Sequence, residues 1–242
     1  MDIEEWKNCA EDNHGQLIVW VDQESSLKIK KAAIEGVCFT MCLDFVLKFQ
    51  AGGTSPFNFI NSIHFASAVS KKENNVPDVY VIKQNLYKAE LDASTKRINV
   101  LIRQINAAAI AHKDALKKQL ADLRQLLTRN RYGGANMKAY EDFNADFILD
   151  FCEILEKKMD KQVKDNGPSY FLVGMVSPGN GGHAIAFGQL TEVYQFFDPN
   201  LGLFDFPSKQ DLSNFFNDSV YPYYLEKEYS KFSIASYIAS SK

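Results

Sequence analysis

Hydrophobic positions along this chain change their period twice. After a polar opening of fifteen residues, read as loose, Leu17-Ile18-Val19-Trp20-Val21 forms a short apolar run with the length of a strand. From Gly36 the spacing becomes helical. Val37, Met41, Cys42, Phe45, Leu47 and Phe49 recur at three to four residues, and Ala51-Gly52-Gly53 ends the pattern as C-terminal glycines do. Phe57 to Val69 reads as a second, shorter helix, broken by Asn74-Asn75-Val76-Pro77. The longest helical signal runs from Leu91 to Thr128, with Ile98, Leu101, Ile105, Ala109, His112, Leu116, Leu120, Leu123 and Leu127 on one stripe. Asn130 to Gly134 is a turn, and Tyr140, Phe143, Phe147, Phe151, Leu155 and Met159 mark a returning helix. An antiparallel helical hairpin follows from that pattern, with His112 at its seam. After Gly167-Pro168 the period falls to that of strands. Tyr170 to Val176 is almost continuously apolar, as a central strand is. Gly182 to Phe187, Tyr194 to Asp198 and Leu203 to Phe206 follow as further strands, and Ser208 with Asp211 opens a helix buried through Leu212, Phe215 and Phe216. Tyr221 to Ala239 carries no clear period.

The pattern predicts an α+β chain of 242 residues. Its 46% hydrophobic and 24% charged residues are globular values, so disorder is excluded. With 27 basic and 30 acidic residues the formal charge is −3, which argues against a nucleic-acid binder that relies on a basic surface. No apolar run has membrane-spanning length, so no integral membrane segment is expected, and the start Met-Asp-Ile-Glu-Glu lacks the basic and apolar regions of a secretory leader. The four cysteines contain no CxxC pair and read as reduced thiols.

Three residues form a candidate nucleophilic site. His183 and Asp198 lie fifteen residues apart on two strands joined by a turn, a path that returns the carboxylate to the imidazole. A carboxylate there fixes the ring tautomer and favours its protonated form. Cys38 sits in the first turn of its helix, where unpaired N–H groups favour a thiolate and can bind an oxyanion. Taken singly, each has a plainer reading: a buried small hydrophobe, a strand histidine and a turn aspartate before Pro199. Cys42, one turn on, is the competing nucleophile, but its N–H is engaged in the helix and it is expected in the core. A metal site from Cys38, Cys42 and His183 lacks a fourth ligand, and neither metal nor cofactor is expected.

Gly36-Val37-Cys38-Phe39-Thr40-Met41-Cys42-Leu43-Asp44-Phe45, Gly182-His183-Ala184-Ile185-Ala186-Phe187 and Phe196-Phe197-Asp198-Pro199-Asn200-Leu201-Gly202-Leu203-Phe204 together resemble the YopT/AvrPphB family of bacterial effector cysteine proteases. The resemblance implies a papain-like fold over residues 1–242, a nucleophile helix packed on an antiparallel sheet, with residues 88–166 as a helical hairpin insertion outside the matched motifs. It implies Cys38 as nucleophile, His183 as base and Asp198 as its orienting acid. It also implies secretion into a host cell and action on a host protein. One departure stands out. The family carries Asn or Gln five or six residues before the cysteine for the oxyanion hole, whereas Ala33 and Ala32, after Lys31, stand there. The oxyanion donor must then come from elsewhere in the fold, or the oxyanion hole is weaker. The same triad serves peptidases, glutamine deamidases and transglutaminases, which share a thioester, so these remain open. So does a catalytically silent binding module that grips a partner through the hairpin.

Overall fold

The computed structural model describes residues 2–23, 36–52, 78–143, 147–177, 181–226, 229 and 231–238. The expected helix at Phe57 to Val69 lies outside them. Seven strands form one sheet in which every neighbouring pair is antiparallel. They are β1 (Gln16–Val19), β2 (Met137–Phe143), β3 (Ser169–Ser177), β4 (Gly181–Gln189), β5 (Tyr194–Asp198), β6 (Gly202–Phe206) and β7 (Lys231–Ile238). The order across the sheet is β1-β6-β5-β4-β3-β7-β2. The helices are α1 (Ile3–Asp12), α2 (Cys38–Gly52), α3 (Asp78–Ala107), α4 (Ile110–Arg131), α5 (Phe147–Asn166), α6 (Lys209–Phe215) and α7 (Tyr221–Leu225). The class is α+β, with a cysteine-bearing helix packed against an antiparallel sheet.

Side-chain alternation divides the core into two layers. Tyr170, Leu172, Ala184, Ala186, Phe197 and Leu203 face α2, where they meet Val37, Met41, Cys42, Phe45 and Phe49. Phe171, Val173, Ile185, Phe187, Phe196 and Phe204 face the other way, onto Trp6, Phe151, Leu155, Leu212, Phe215 and Phe216. Ala184 and Ala186 on the α2 side carry only methyl groups, so the helix sits close to β4. The rings of Phe45 and Phe197 stack at 5.1 Å. Each such fully buried ring contributes roughly 1.5–3 kcal/mol.

Three expectations are corrected. The opening residues are not loose: α1 is held by a capping box in which Asp2 accepts from the Glu4 and Glu5 N–H groups and Glu5 returns to the Asp2 N–H. Trp6 and Ala10 bury its inner face. The hairpin pairs α3 with α4, reversing at Ala108 and Ala109, and the stretch after Asn136 takes no part in it. Ile98, Leu101 and Ile105 on α3, with Leu116, Leu120, Leu123 and Leu127 on α4, are its half-buried seam, while His112 is exposed. The alanines at the reversal carry no breaker signal, so the stripe reads as one helix. Met137–Phe143 is strand β2, paired with β7, and α5 is a separate helix on the opposite layer. The aromatic C-terminal stretch without a clear period supplies β7, which lies between β3 and β2. Asp44 fastens the hairpin to α2 by accepting from the Tyr80 hydroxyl at 2.6 Å and pairing with Lys83 at 3.1 Å.

The β5–β6 turn shows how tightly the sheet fixes this region. Gly202 has φ +109°, and a Cβ there would stand 2.1 Å from the Val19 carbonyl oxygen. Gly202→Ala is expected to cost at least about 2 kcal/mol, from strain together with the backbone clash. Chemical denaturation with and without the substitution measures the loss.

Candidate active site

Cys38 opens α2. Val37 precedes it, and the Val37 carbonyl accepts from Thr40 Oγ1 and from the Met41 N–H, both at 3.0 Å. The N–H groups of the first helical turn have no intrahelical acceptor, so that of Cys38 is free to bind a ligand oxygen. The Val37 N–H is taken by Gln23, whose Oε1 accepts it at 2.8 Å.

The β4–β5 ladder begins only at Ala186, opposite Phe197, so β5 does not pair with the first residues of β4. The two thiols of α2 occupy that opening. Cys42 Sγ donates to the Ala184 carbonyl at 3.2 Å, and Cys38 is hydrogen-bonded to the backbone of the same residue. The i,i+4 spacing that makes both cysteines face β4 thus delivers Cys38 beside His183. His183 and Asp198 have the strand parity of Ile185 and Phe196, the face away from α2. The unpaired stretch lets the sulfur reach the ring from the other layer.

His183 Nε2 and Asp198 Oδ1 are 3.0 Å apart, and both side chains are buried. With Nε2 on the carboxylate, Nδ1 is the ring nitrogen left for the Cys38 thiol, which lines the same cavity. Asp198, with no exposed surface, also accepts from the Asn200 N–H at 2.7 Å and from the Tyr224 hydroxyl. Asn200 belongs to the tight turn after β5, in which the Leu201 N–H donates to the Asp198 carbonyl at 3.0 Å. The Tyr229 ring lies 6.3 Å from that of His183, inclined at 29° to it.

Burial alone would neutralise both reacting groups. For His183 burial pulls the pKa down, but the Asp198 charge and hydrogen bond, with Cys38, raise it well above the ordinary imidazole value. For Cys38 burial pushes up, and the His183 hydrogen bond and charge, aided by the Ala184 N–H, bring it below the usual thiol value. The pair therefore favours thiolate and imidazolium. Cys42 goes the opposite way: burial, then the charges of Cys38 and Asp198, push its thiol well above the ordinary value. It is a core thiol, as its place in the helix predicts.

The structure thus brings Cys38, His183 and Asp198 together and separates Cys42 from them chemically. Among the described residues no group of three or more His, Cys, Asp or Glu side chains is placed to hold a metal ion, and no helix is long and apolar enough to cross a membrane. A cavity of about 920 Å³ opens in front of Cys38 and His183. One wall is sheet, from Met175, Gly182 and Ser233. The other is helical, from Phe39, Gln84 and Tyr87 with Arg131 at the end of α4.

Two residues escape a sequence reading. Tyr224 sits in the aromatic stretch that shows no period. Gln23, fifteen residues before the cysteine, looks like part of a polar connection. It is 4% exposed, and its backbone N–H donates to the Pro199 carbonyl at 2.9 Å, in the turn that follows Asp198. A Cβ on Gly36 would stand 3.6 Å from Gln23 Oε1 and 4.0 Å from Cys38 Sγ, so amide and thiol flank one spot. The only signal for it in the sequence is negative: alanines stand where a donor amide is expected.

Comparison with known proteins yields the following. The family model Peptidase_C58, described as Yersinia/Haemophilus virulence surface antigen, matches residues 152–234. No curated protein matches the chain in sequence. Among solved structures, the Pseudomonas avirulence protein AvrPphB aligns over 86% of this chain and 98% of its own, at 10% identity and TM-score 0.47. PatoxP, a cysteine protease-like domain of the Photorhabdus asymbiotica toxin PaTox, aligns over 98% of this chain and 80% of its own, at 12% identity and TM-score 0.30. The YopT domain of the Pasteurella multocida PfhB2 toxin aligns over 89% and 90%, at 14% identity and TM-score 0.23. Residues 152–234, the stretch that supplies His183 and Asp198, are thus similar to the Peptidase_C58 family.

Proposed function

We propose that the protein is a cysteine peptidase in which Cys38 is the nucleophile, His183 the acid and base, and Asp198 the group that orients and charges the ring. The observation that carries this reading is that the Cys38 thiol and the His183 imidazole line one cavity, with a buried carboxylate 3.0 Å behind the ring. The Cys38 thiolate attacks the substrate carbonyl carbon, and the developing oxyanion takes the Cys38 N–H. We assign the second donor to Gln23, whose Oε1 is fixed on Val37 and whose Nε2 has no partner among the described residues. His183 then gives its Nδ1 proton to the leaving amine, and the C–N bond breaks to leave a thioester. Water, deprotonated by the now neutral His183, attacks the thioester. The acid product leaves and the thiolate–imidazolium pair is restored.

In this reading residues 1–242 act as one catalytic domain, and within 88–166 the hairpin of α3 and α4 forms its substrate-side lobe. The virulence description of the matched family supports a bacterial effector that is secreted and cleaves a host protein.

Four outcomes are expected. Cys38 should alkylate with iodoacetamide well below pH 8, because its thiolate persists until the depressed pKa is passed on the acid side. An ordinary thiol is only about 1% thiolate at pH 6.5. His183→Ala should slow the reaction there by about tenfold or more, and labelling Cys38 no faster than Cys9 would remove the activated thiol. Asp198→Asn keeps the shape but not the charge. It should lower peptidase turnover by about 10²-fold or more and pull the alkaline limb of the pH profile to lower pH, since the ring loses what raises its pKa. Incubation with host lysate, followed by intact-mass spectrometry, should give new protein fragments that Cys38→Ala abolishes. A shift of about 1 Da without fragments would mean deamidation instead. Gln23→Ala should reduce cleavage by about 10²-fold, with far less effect on alkylation, which forms no oxyanion.

A further inference from the structure

The helical wall of the cavity contains a cation that the proposed chemistry does not use. Arg131, the last residue of α4, places its guanidinium carbon 5.1 Å from the Phe39 ring centre, 5.2 Å from that of Tyr87 and 5.3 Å from that of Tyr132. Three rings therefore surround it and hold it by cation–π attraction. No carboxylate among the described residues lies within ion-pair distance of it. Two polar atoms on the same wall, the Tyr87 hydroxyl and Gln84 Oε1, are buried without a hydrogen-bond partner. An unsatisfied buried hydroxyl beside an unpaired guanidinium calls for an acceptor from outside. The phenol of Tyr87 is pushed up to about 12 by burial, so it remains a donor throughout the neutral range. The charged lining of the cavity, besides His183, is Lys88, Arg131 and Lys231 against Asp142 alone. That carboxylate is already bound by the Tyr140 hydroxyl. Phe39 follows Cys38 directly, and Cys38, Phe39 and Arg131 line the same cavity.

We propose that Arg131 and Tyr87 form a subsite for an acidic side chain of the substrate, the guanidinium pairing with the carboxylate and the Tyr87 hydroxyl donating to it. The proposal rests on Cys38 being the nucleophile and names the substrate class: polypeptides with Asp or Glu close to the bond attacked.

The test uses tripeptidyl chloromethyl ketones that differ at one position at a time by Glu, Gln or Lys, with Cys38 alkylation by the full chain followed by mass spectrometry. At one position the Glu probe should react on the order of fivefold faster than the Gln probe, the upper range for a solvent-accessible ion pair. The Glu/Gln ratio should shrink with added salt. It should fall towards one in Arg131→Gln and in part in Tyr87→Phe, and Arg131→Glu should reverse the order of the Glu and Lys probes. No acid preference at any position, or a preference that survives Arg131→Gln, overturns the subsite. Iodoacetamide separates this from failure of the parent reading. Rapid labelling of Cys38 at pH 6.5 with no acid preference discards the subsite alone. Slow labelling of Cys38 at that pH discards the nucleophile and the subsite with it.

Discussion

A carboxylate with no exposed surface must be held charged by what surrounds it, and Asp198 is the point to which the architecture conforms. It receives a ring nitrogen, a main-chain N–H from its own turn and a phenol hydroxyl from α7. Those donors come from three segments distant in the chain, so the turn after β5, the start of β4 and the C-terminal helix close around one charge. A desolvated ion without such partners would cost several kcal/mol. The charge is then passed on: it raises the affinity of His183 for a proton, and the imidazolium in turn favours the Cys38 thiolate. Without Asp198, burial would leave both groups neutral and the thiol inert.

Much of this was legible in the residues. The strand pair carrying His183 and Asp198 announces itself through alternation and the Asp-Pro-Asn-Leu-Gly turn, and α2 through its apolar period. Both are local patterns, and local patterns survive translation into structure. The order of the strands is not local. Nothing in Lys231–Ile238 says that it pairs with β3, because aromatic and polar residues mix where a strand lies between two neighbours and its ends reach the surface. The hairpin reversal at Ala108 is hidden for another reason: alanine favours helix, and the break is enforced by packing of α3 against α4.

Gln23 illustrates a different limit. Its side chain matters because β1, the Pro199 carbonyl and the first turn of α2 converge on it, and no spacing rule reaches across residues 24–35 to find that. The expected donor position, five or six residues before the cysteine, assumes a short approach to the helix. In the proposed mechanism Gln23 supplies the donor from fifteen residues before Cys38. The requirement for a donor is chemical, whereas the position from which the chain supplies it is free.

Phe39 joins two functions that would otherwise be independent. Its backbone continues directly from Cys38, while its ring stacks on Tyr87 at 4.6 Å and so belongs to the helical wall. Ala107, at the far end of α3, is twenty residues beyond Tyr87, about 30 Å along a continuous helix. The tip of the hairpin is therefore the long arm of a rigid lever whose short arm bears on the residue beside the sulfur. A partner that grips that tip therefore bears, through α3, on the ring next to Cys38 without entering the cleft.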